Sequence, residues 1–143
     1  MTIQLINMYN DMSAIDILNK FDLTVCMCGY VPKEDKFYHV DSFMFDINNR
    51  VLKFNANTEF PLSTLIRVNK YISKGYTIDN IELIKIGLMI NQFNISTVGE
   101  LKEQLHGIYP SNEINYYLDS LTNTDDSANF DLNLLYNIFN RMN

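Results

Sequence analysis

Apolar and polar positions follow two different periods along the chain, and the period changes near residue 58. Before that point, short apolar runs are separated by polar turns, a pattern that favours strands. We predict strands at 3–8, 22–30, 37–40 and 51–54, the second of them nearly all apolar and therefore central. A short helix capped by Ser13 and Asp16 and a helical turn over 41–49 complete this part.

From residue 59 onward the apolar spacing becomes helical. The first of these helices is predicted to bury an apolar stripe and to stop at a left-handed Gly75; the stripe consists of Leu62, Leu65, Val68 and Ile72. Further helices are predicted to begin at Asp79, with a break at Gly87, and at Thr97, Ser111 and Asp131. We therefore expect an α+β fold with a small α/β half at 1–58 and a helical half at 59–143.

Length and composition narrow the class of protein. The chain has 143 residues, 47% of them hydrophobic, which suits one globular domain and excludes a disordered chain. We expect a cytoplasmic location, because no apolar run reaches the ~18 residues of a membrane span and the first residues do not resemble a secretory signal. Abundant Asn, Ile and Lys indicate an A/T-rich genome, such as that of a low-GC bacterium or one of its phages.

The net charge is −6, and the charged residues are distributed unevenly along the chain. The predicted helix at 61–75 carries Arg67, Lys70 and Lys74 and no acid. The predicted helices at 111–141 form an acidic stretch, with no base before residue 141, that contains Glu113, Asp119, Asp125, Asp126 and Asp131. One surface therefore favours phosphates, and the other is either a solubilising surface or a docking surface for a basic partner.

Three segments, in order, resemble the tRNA nucleotidyltransferases of the CCA-adding and poly(A) polymerase type. Residues 22–30 (DLTVCMCGY) are similar to that family's DFTxNALAY, and 46–52 (DINNRVL) to its DLKNRVL. The third segment, RVNKYISKGYTID at 67–79, is similar to its basic helix and exit. The resemblance implies the distal part of a nucleotidyltransferase fold over about 21–79.

The same comparison implies that this chain is not an enzyme. In the family, phosphoryl transfer uses a D-x-D carboxylate pair after a Gly-Ser turn to hold two metal ions, and this sequence contains no such pair. The resemblance implies that Asp22 is a remnant of the nucleotide site, although a purely local structural role is the alternative. We predict no catalytic residue and no cofactor.

The candidate RNA-binding residues lie mainly on the predicted basic helix. At 100° per residue, its three cations share one face, bordered by Tyr71 and Tyr76, while Arg50 and Lys53 extend the patch if the fold brings them near. Cations beside aromatic rings suit phosphate contact and base stacking. The alternative is a plain solvated helix face.

The cysteines and histidines give no metal prediction. Cys26 and Cys28 are expected on one face of a strand, where they point the same way as potential ligands with His39. C-x-C without a second pair is a weak zinc signal, and buried thiols are the preferred interpretation.

Three functions stay open at this point. The first is a catalytically inactive nucleotidyltransferase-like protein that binds RNA, such as tRNA or a fragment, as a phage inhibitor of a host RNA-guided defence complex, an anti-CRISPR role. The second is a protein-only module that docks its acidic helices on a basic partner. The third is an enzyme completed by a partner chain that supplies the D-x-D half.

Overall fold

A computed structural model of the chain describes residues 11–105, 125–129, 131, 133 and 136. In this part the helices are α1 (Ala14–Leu18), α2 (Phe43–Asn49), α3 (Pro61–Ile72), α4 (Asn80–Gln92) and α5 (Val98–Leu105). The strands are β1 (Cys28–Val31), β2 (Lys36–His39), β3 (Val51–Leu52) and β4 (Thr77–Ile78). The α+β class is confirmed; the predicted strand at 3–8 and the helix from Ser111 lie outside the described residues.

The predicted central strand at 22–30 is wrong over most of its length. Thr24–Cys26 forms a 3₁₀ turn, and extended structure begins only at Cys28. The reason is one local and one distant hydrogen bond: the Cys26 amide donates to the Leu23 carbonyl at 2.8 Å, and the Thr24 amide donates to the carbonyl of the distant Lys53 at 3.1 Å. The two cysteines consequently lie on different elements instead of sharing one strand face.

The hairpin that follows was predicted in its essentials. A 3₁₀ turn at Pro32–Glu34 and a left-handed Asp35 connect β1 to β2, which pair antiparallel with Tyr30 opposite Phe37. Proline at the start of the turn sets the φ angle it needs. Helix α1, capped by Ser13 as predicted, packs on this hairpin and contributes the buried Leu18.

A second small sheet joins the two predicted halves of the chain. Strands β3 and β4 pair parallel, with Val51 opposite Thr77, so a stretch predicted as wholly helical contains a strand. Gly75 adopts a φ of +84° between α3 and β4, which confirms the left-handed position predicted there. The turn returns the chain from α3 to the end of α2.

The main core also draws on both halves. Its buried members are Leu23, Val25, Leu52, Phe54, Val68 and Ile86. A smaller cluster of Val98, Leu101 and Leu105 holds α5 against α3 through Leu62 and Ile66. Burial of each such side chain contributes roughly 1.5–3 kcal/mol to the stability of the fold. The two clusters together hold α3 between the β3–β4 sheet and α5.

Helix α3 is rotated relative to its predicted orientation. Leu65 and Ile72 are exposed, whereas Ser63, Thr64 and Val68 are buried. The polar residues tolerate burial because their hydroxyls are satisfied: Thr64 Oγ1 donates to the Phe60 carbonyl at 3.3 Å, and Ser63 Oγ donates to the Gln104 carbonyl. The predicted stripe is therefore confirmed for Leu62 and Val68, which contact the two clusters, and wrong for Leu65 and Ile72.

The last two described helices start where their caps predict. The Asp79 side chain accepts from the Ile81 amide at 2.9 Å, and Thr97 with Glu100 forms a reciprocal capping box. The predicted break at Gly87 is wrong, because α4 continues to Gln92. Among the described helices, none has the length and apolar content needed to cross a membrane.

Candidate nucleic-acid interface

The basic helix face is smaller than predicted, because Arg67 turns inward. Its Nη1 atom lies 2.6 Å from Asp22 Oδ1, and its Nη2 atom lies 3.3 Å from Cys26 Sγ. Asp22 is only 4% exposed. The prediction that three cations share one solvent face is therefore wrong for Arg67: rotation of α3 moves it to the edge of the core, where a carboxylate binds it.

The environment of Arg67 favours the charged form. Burial has the largest single effect and acts to lower the pKa of its guanidinium, but the Asp22 carboxylate together with Cys26 and Tyr71 outweighs burial and raises the pKa above its ordinary value. Asp22 thus has a structural partner inside the chain. The role of Asp22 as a remnant nucleotide contact stays a prediction, and such a contact would have to compete with Arg67.

Tyr71 is half-buried, packs against the main core and borders this ion pair. Its hydroxyl lies 2.9 Å from Cys26 Sγ, so the thiol sits between a phenol and a guanidinium. Burial, and next the hydrogen bond with Cys26, raise the pKa of Tyr71 to about 12. Tyr71 therefore presents only part of its ring to a ligand.

This placement of Tyr71 makes a direct titration test possible. The phenolate absorbance of the wild-type protein should contain a component that ionises near pH 12, and Tyr71→Phe should remove that component. The variant should also lose about 1 kcal/mol of stability with the hydrogen bond to Cys26. Circular dichroism recorded in parallel separates ionisation of the folded chain from unfolding. An unchanged titration curve would contradict the buried placement of this hydroxyl.

A basic patch nevertheless forms at the C-terminal end of α3. Lys70 and Lys74 are exposed, and Lys74 Nζ lies 5.6 Å from the centre of the Tyr71 ring. Tyr76 meets Tyr71 edge to face at 5.4 Å. Cations near the carbonyl end of a helix are also favoured by the helix dipole.

Arg50 joins this patch, as the sequence predicted it would if the fold allowed. It ends α2 in a left-handed conformation with φ 52°, and its carbonyl accepts from the Thr77 amide at 2.8 Å. Its Nη1 atom lies 3.0 Å from the position that a Cβ on Gly75 would occupy. We call the set Arg50, Lys70, Tyr71, Lys74 and Tyr76 the basic end of α3.

Lys53 is engaged elsewhere. Its Nζ atom lies 2.9 Å from Oδ1 of the fully buried Asp46, whose Oδ2 accepts from Thr24 Oγ1 at 2.8 Å. Burial acts to raise the pKa of Asp46, but hydrogen bonds from Ser42, Lys53 and Thr24 together hold it below its ordinary value. This carboxylate ties the 3₁₀ turn to α2, and its burial was not predicted from the sequence.

The acidic candidates are only partly described. Asp125 and Asp126 lie in an exposed turn against α5, while Glu113 and Asp119 lie outside the described residues. Asp126 forms an ion pair with Lys102, and Asp125 accepts from the Ser127 amide at 2.9 Å. Asp125 therefore stabilises its own turn and Asp126 ties that turn to α5, while the role of both in binding a partner stays a prediction.

The thiols and imidazole do not gather around a common point in the described part of the chain. Cys26 contacts Arg67 and Tyr71, whereas Cys28 lies on β1 opposite His39. Within those residues no three His, Cys, Asp or Glu side chains are grouped as metal ligands.

Comparison with known proteins finds a curated phage protein that is similar in sequence to this chain. The two are 40% identical over 119 residues, and the relative is named Gabija anti-defense 2, from Bacillus phage SPbetaL7. The match covers 83% of this chain but 28% of the relative. No family model and no solved structure matches the chain.

Proposed function

We propose that this chain is a phage protein that blocks a bacterial antiviral defence inside the host cytoplasm. The observation that carries the proposal is its 40% identity to a phage protein named for activity against the Gabija defence. Because the chain spans only 28% of that relative, the activity of the whole relative is transferred here as part of the proposal. The abundant Asn and Ile of the sequence, which indicate a low-GC bacterium or one of its phages, are consistent with a phage relative.

The cellular test is phage plating on a host that carries the Gabija defence. Expression of the chain should raise plating toward the level seen on a strain without that defence. A host with an unrelated defence serves as control for general effects on phage growth. Plating that stays restricted while the chain accumulates as folded protein would overturn the proposal.

At the molecular level we propose that the chain binds single-stranded RNA through the basic end of α3 and has no catalytic activity of its own. Three exposed cations at or beside the end of α3, with the Tyr71 and Tyr76 rings packed edge to face at the same end, support phosphate contact. The lack of a D-x-D pair in the sequence supports a binding role. An RNA-guided complex as the target stays a prediction.

Replacing two of these lysines should weaken RNA binding and its dependence on salt. We expect Lys70→Gln/Lys74→Gln to reduce affinity for oligouridine about tenfold at low salt and to reduce the salt slope by about 1.4. The measurement is fluorescence anisotropy across a salt series. Asn91→Asp/Gln92→Glu on exposed α4 changes the net charge equally and should leave the slope unchanged. If both double variants lower the affinity and the salt slope equally, net charge explains the effect and the position of the lysines on α3 does not.

A second candidate function has support of its own: an enzyme completed by another polypeptide. The chain matches 28% of its relative, and we propose that a segment of the kind that makes up the rest of the relative supplies the missing carboxylates. The segments that resemble nucleotidyltransferases also pack together, through Arg67 on Asp22 and Asp46 on Thr24. Nucleotide transfer that appears only after co-expression with a D-x-D polypeptide would establish this alternative.

A further inference from the structure

The outer face of the β1–β2 hairpin carries a cluster of exposed rings that the basic end of α3 does not include. The antiparallel register places Tyr30 opposite Phe37 and Cys28 opposite His39, and alternation along a strand puts these four side chains on one face. The Tyr30 and Phe37 ring centres are 4.8 Å apart. His39 stacks on Phe43 at 5.9 Å.

This ring cluster faces away from the neighbouring helix. The opposite face of the hairpin packs on α1, since a Cβ on Gly29 would lie 3.7 Å from Leu18 Cδ2. Phe37 is 68% exposed and Tyr30 is 46% exposed. Large apolar side chains that cluster at the surface mark interaction sites more often than isolated ones.

The chemistry of this face suits unpaired bases. Each ring offers a π-surface, and the edges of Tyr30 and His39 add polar groups, whereas aliphatic side chains would offer neither. Lys33 lies exposed in the turn of the hairpin, whereas Lys36 and Tyr38 lie on the side that packs on α1, where Lys36 Nζ is 4.6 Å from the Tyr38 ring. The acids of the hairpin accept hydrogen bonds within it, Asp35 from Tyr30 and Glu34 from Tyr38.

Helix α2 connects the ring cluster to the basic end of α3. It begins at Phe43, which stacks on His39, and its C-cap residue Arg50 lies against Gly75. The seven residues of α2 span about 10 Å, and Arg50 follows them directly as the left-handed C-cap residue. That distance corresponds to about three nucleotides of a stacked strand at 3.4 Å each, well inside the usual footprint of a single-strand-binding fold.

We propose that the outer face of the hairpin stacks unpaired bases of the same RNA strand whose phosphates contact the basic end of α3. This inference rests on the proposed RNA-binding function and assigns it a second surface. One surface neutralises phosphates, and the other holds bases through rings that accept any sequence.

Two substitutions at one position test the stacking role. Phe37→Leu keeps an apolar side chain and removes the ring, so affinity for an oligouridine of about 12 nucleotides should fall at least about fivefold. Its salt slope should equal that of the wild type, because no phosphate contact is lost. Phe37→Trp keeps a ring and should retain affinity. Since the chain has no tryptophan, the introduced indole is a unique reporter whose fluorescence should be quenched on binding.

The outcomes separate the two proposals. If Phe37→Leu binds like the wild type, the indole emission does not change, and Lys70→Gln/Lys74→Gln weakens binding, the hairpin inference fails while the function stands. If only the ring substitution weakens binding, the assignment to α3 fails. If wild-type protein does not bind oligouridine, both fail. Loss of defence blockade in Phe37→Leu without any RNA binding would show that the hairpin docks a protein instead.

Discussion

Arg67→Ala should lower the free energy of unfolding by about 2–4 kcal/mol, because it leaves the buried Asp22 carboxylate without its cation. Lys70→Ala, three residues further along the same helix, should change it by less than about 0.5 kcal/mol, because Lys70 is exposed. Urea denaturation followed by circular dichroism measures both. The helical wheel places Arg67 and Lys70 on the same solvent face and so predicts similar small losses of stability for both. A larger loss for Arg67→Ala supports the placement of Arg67 in the structure.

A double-mutant cycle shows whether the loss belongs to the ion pair. Adding Asp22→Asn to Arg67→Ala should recover part of the lost stability, because an amide is far less costly to bury than an unpaired carboxylate. Strictly additive losses would contradict the contact between the two side chains. Asp22→Asn alone should also release Arg67 toward solvent and steepen the salt slope of RNA binding.

Asp46→Asn should destabilise the protein by about 2–3 kcal/mol near neutral pH, because the amide cannot replace the ionised hydrogen bonds to Lys53 and Thr24. The pKa of Asp46 is lowered by folding, so its contribution to stability is present above its ordinary value of 3.8 and is lost as the pH falls through the folded pKa. The difference between wild type and variant should therefore shrink on acidification.

The control for this substitution is Asp41→Asn. Asp41 is exposed just before α2, so its replacement should leave the free energy of unfolding nearly unchanged at neutral pH. Urea titrations at neutral and acidic pH give the comparison. A constant gap between Asp46→Asn and the wild type at every pH would mean that packing, and not the charge of Asp46, holds the 3₁₀ turn to α2.

The sequence predicted the hairpin, the caps and the left-handed glycine because each is encoded within a few neighbouring residues. Helix starts are marked by side chains that accept hydrogen bonds from backbone amides two or three residues further on, as at Ser13, Asp79 and Thr97. The 3₁₀ turn at Thr24–Cys26 and the strand at Thr77–Ile78 depend on partners far along the chain. Apolar patterning does not contain that information.

The candidate site shows the same division. Arg50 and Lys74 were selected for their charge, but their meeting near Gly75 required the pairing of β3 with β4. Arg67 was misplaced because a helical wheel assigns every cation to solvent unless a buried acid such as Asp22 is known. The exposed rings of the hairpin were missed, although Tyr30 and Phe37 flank a predicted turn and alternation would have placed them on one face.

The parallel pairing of β3 with β4 also bears on how the chain folds. Each strand has two residues, and α3 lies between them, so neither can be protected from solvent until the helix has formed and closed the loop. The Thr77 amide, which bonds the Arg50 carbonyl, should therefore exchange its hydrogen for deuterium in the same cooperative opening as the interior of α3. The basic end of α3 would then form and unfold together with the two strands. Its cations would come together only in molecules in which α3 and the β3–β4 pair are both folded.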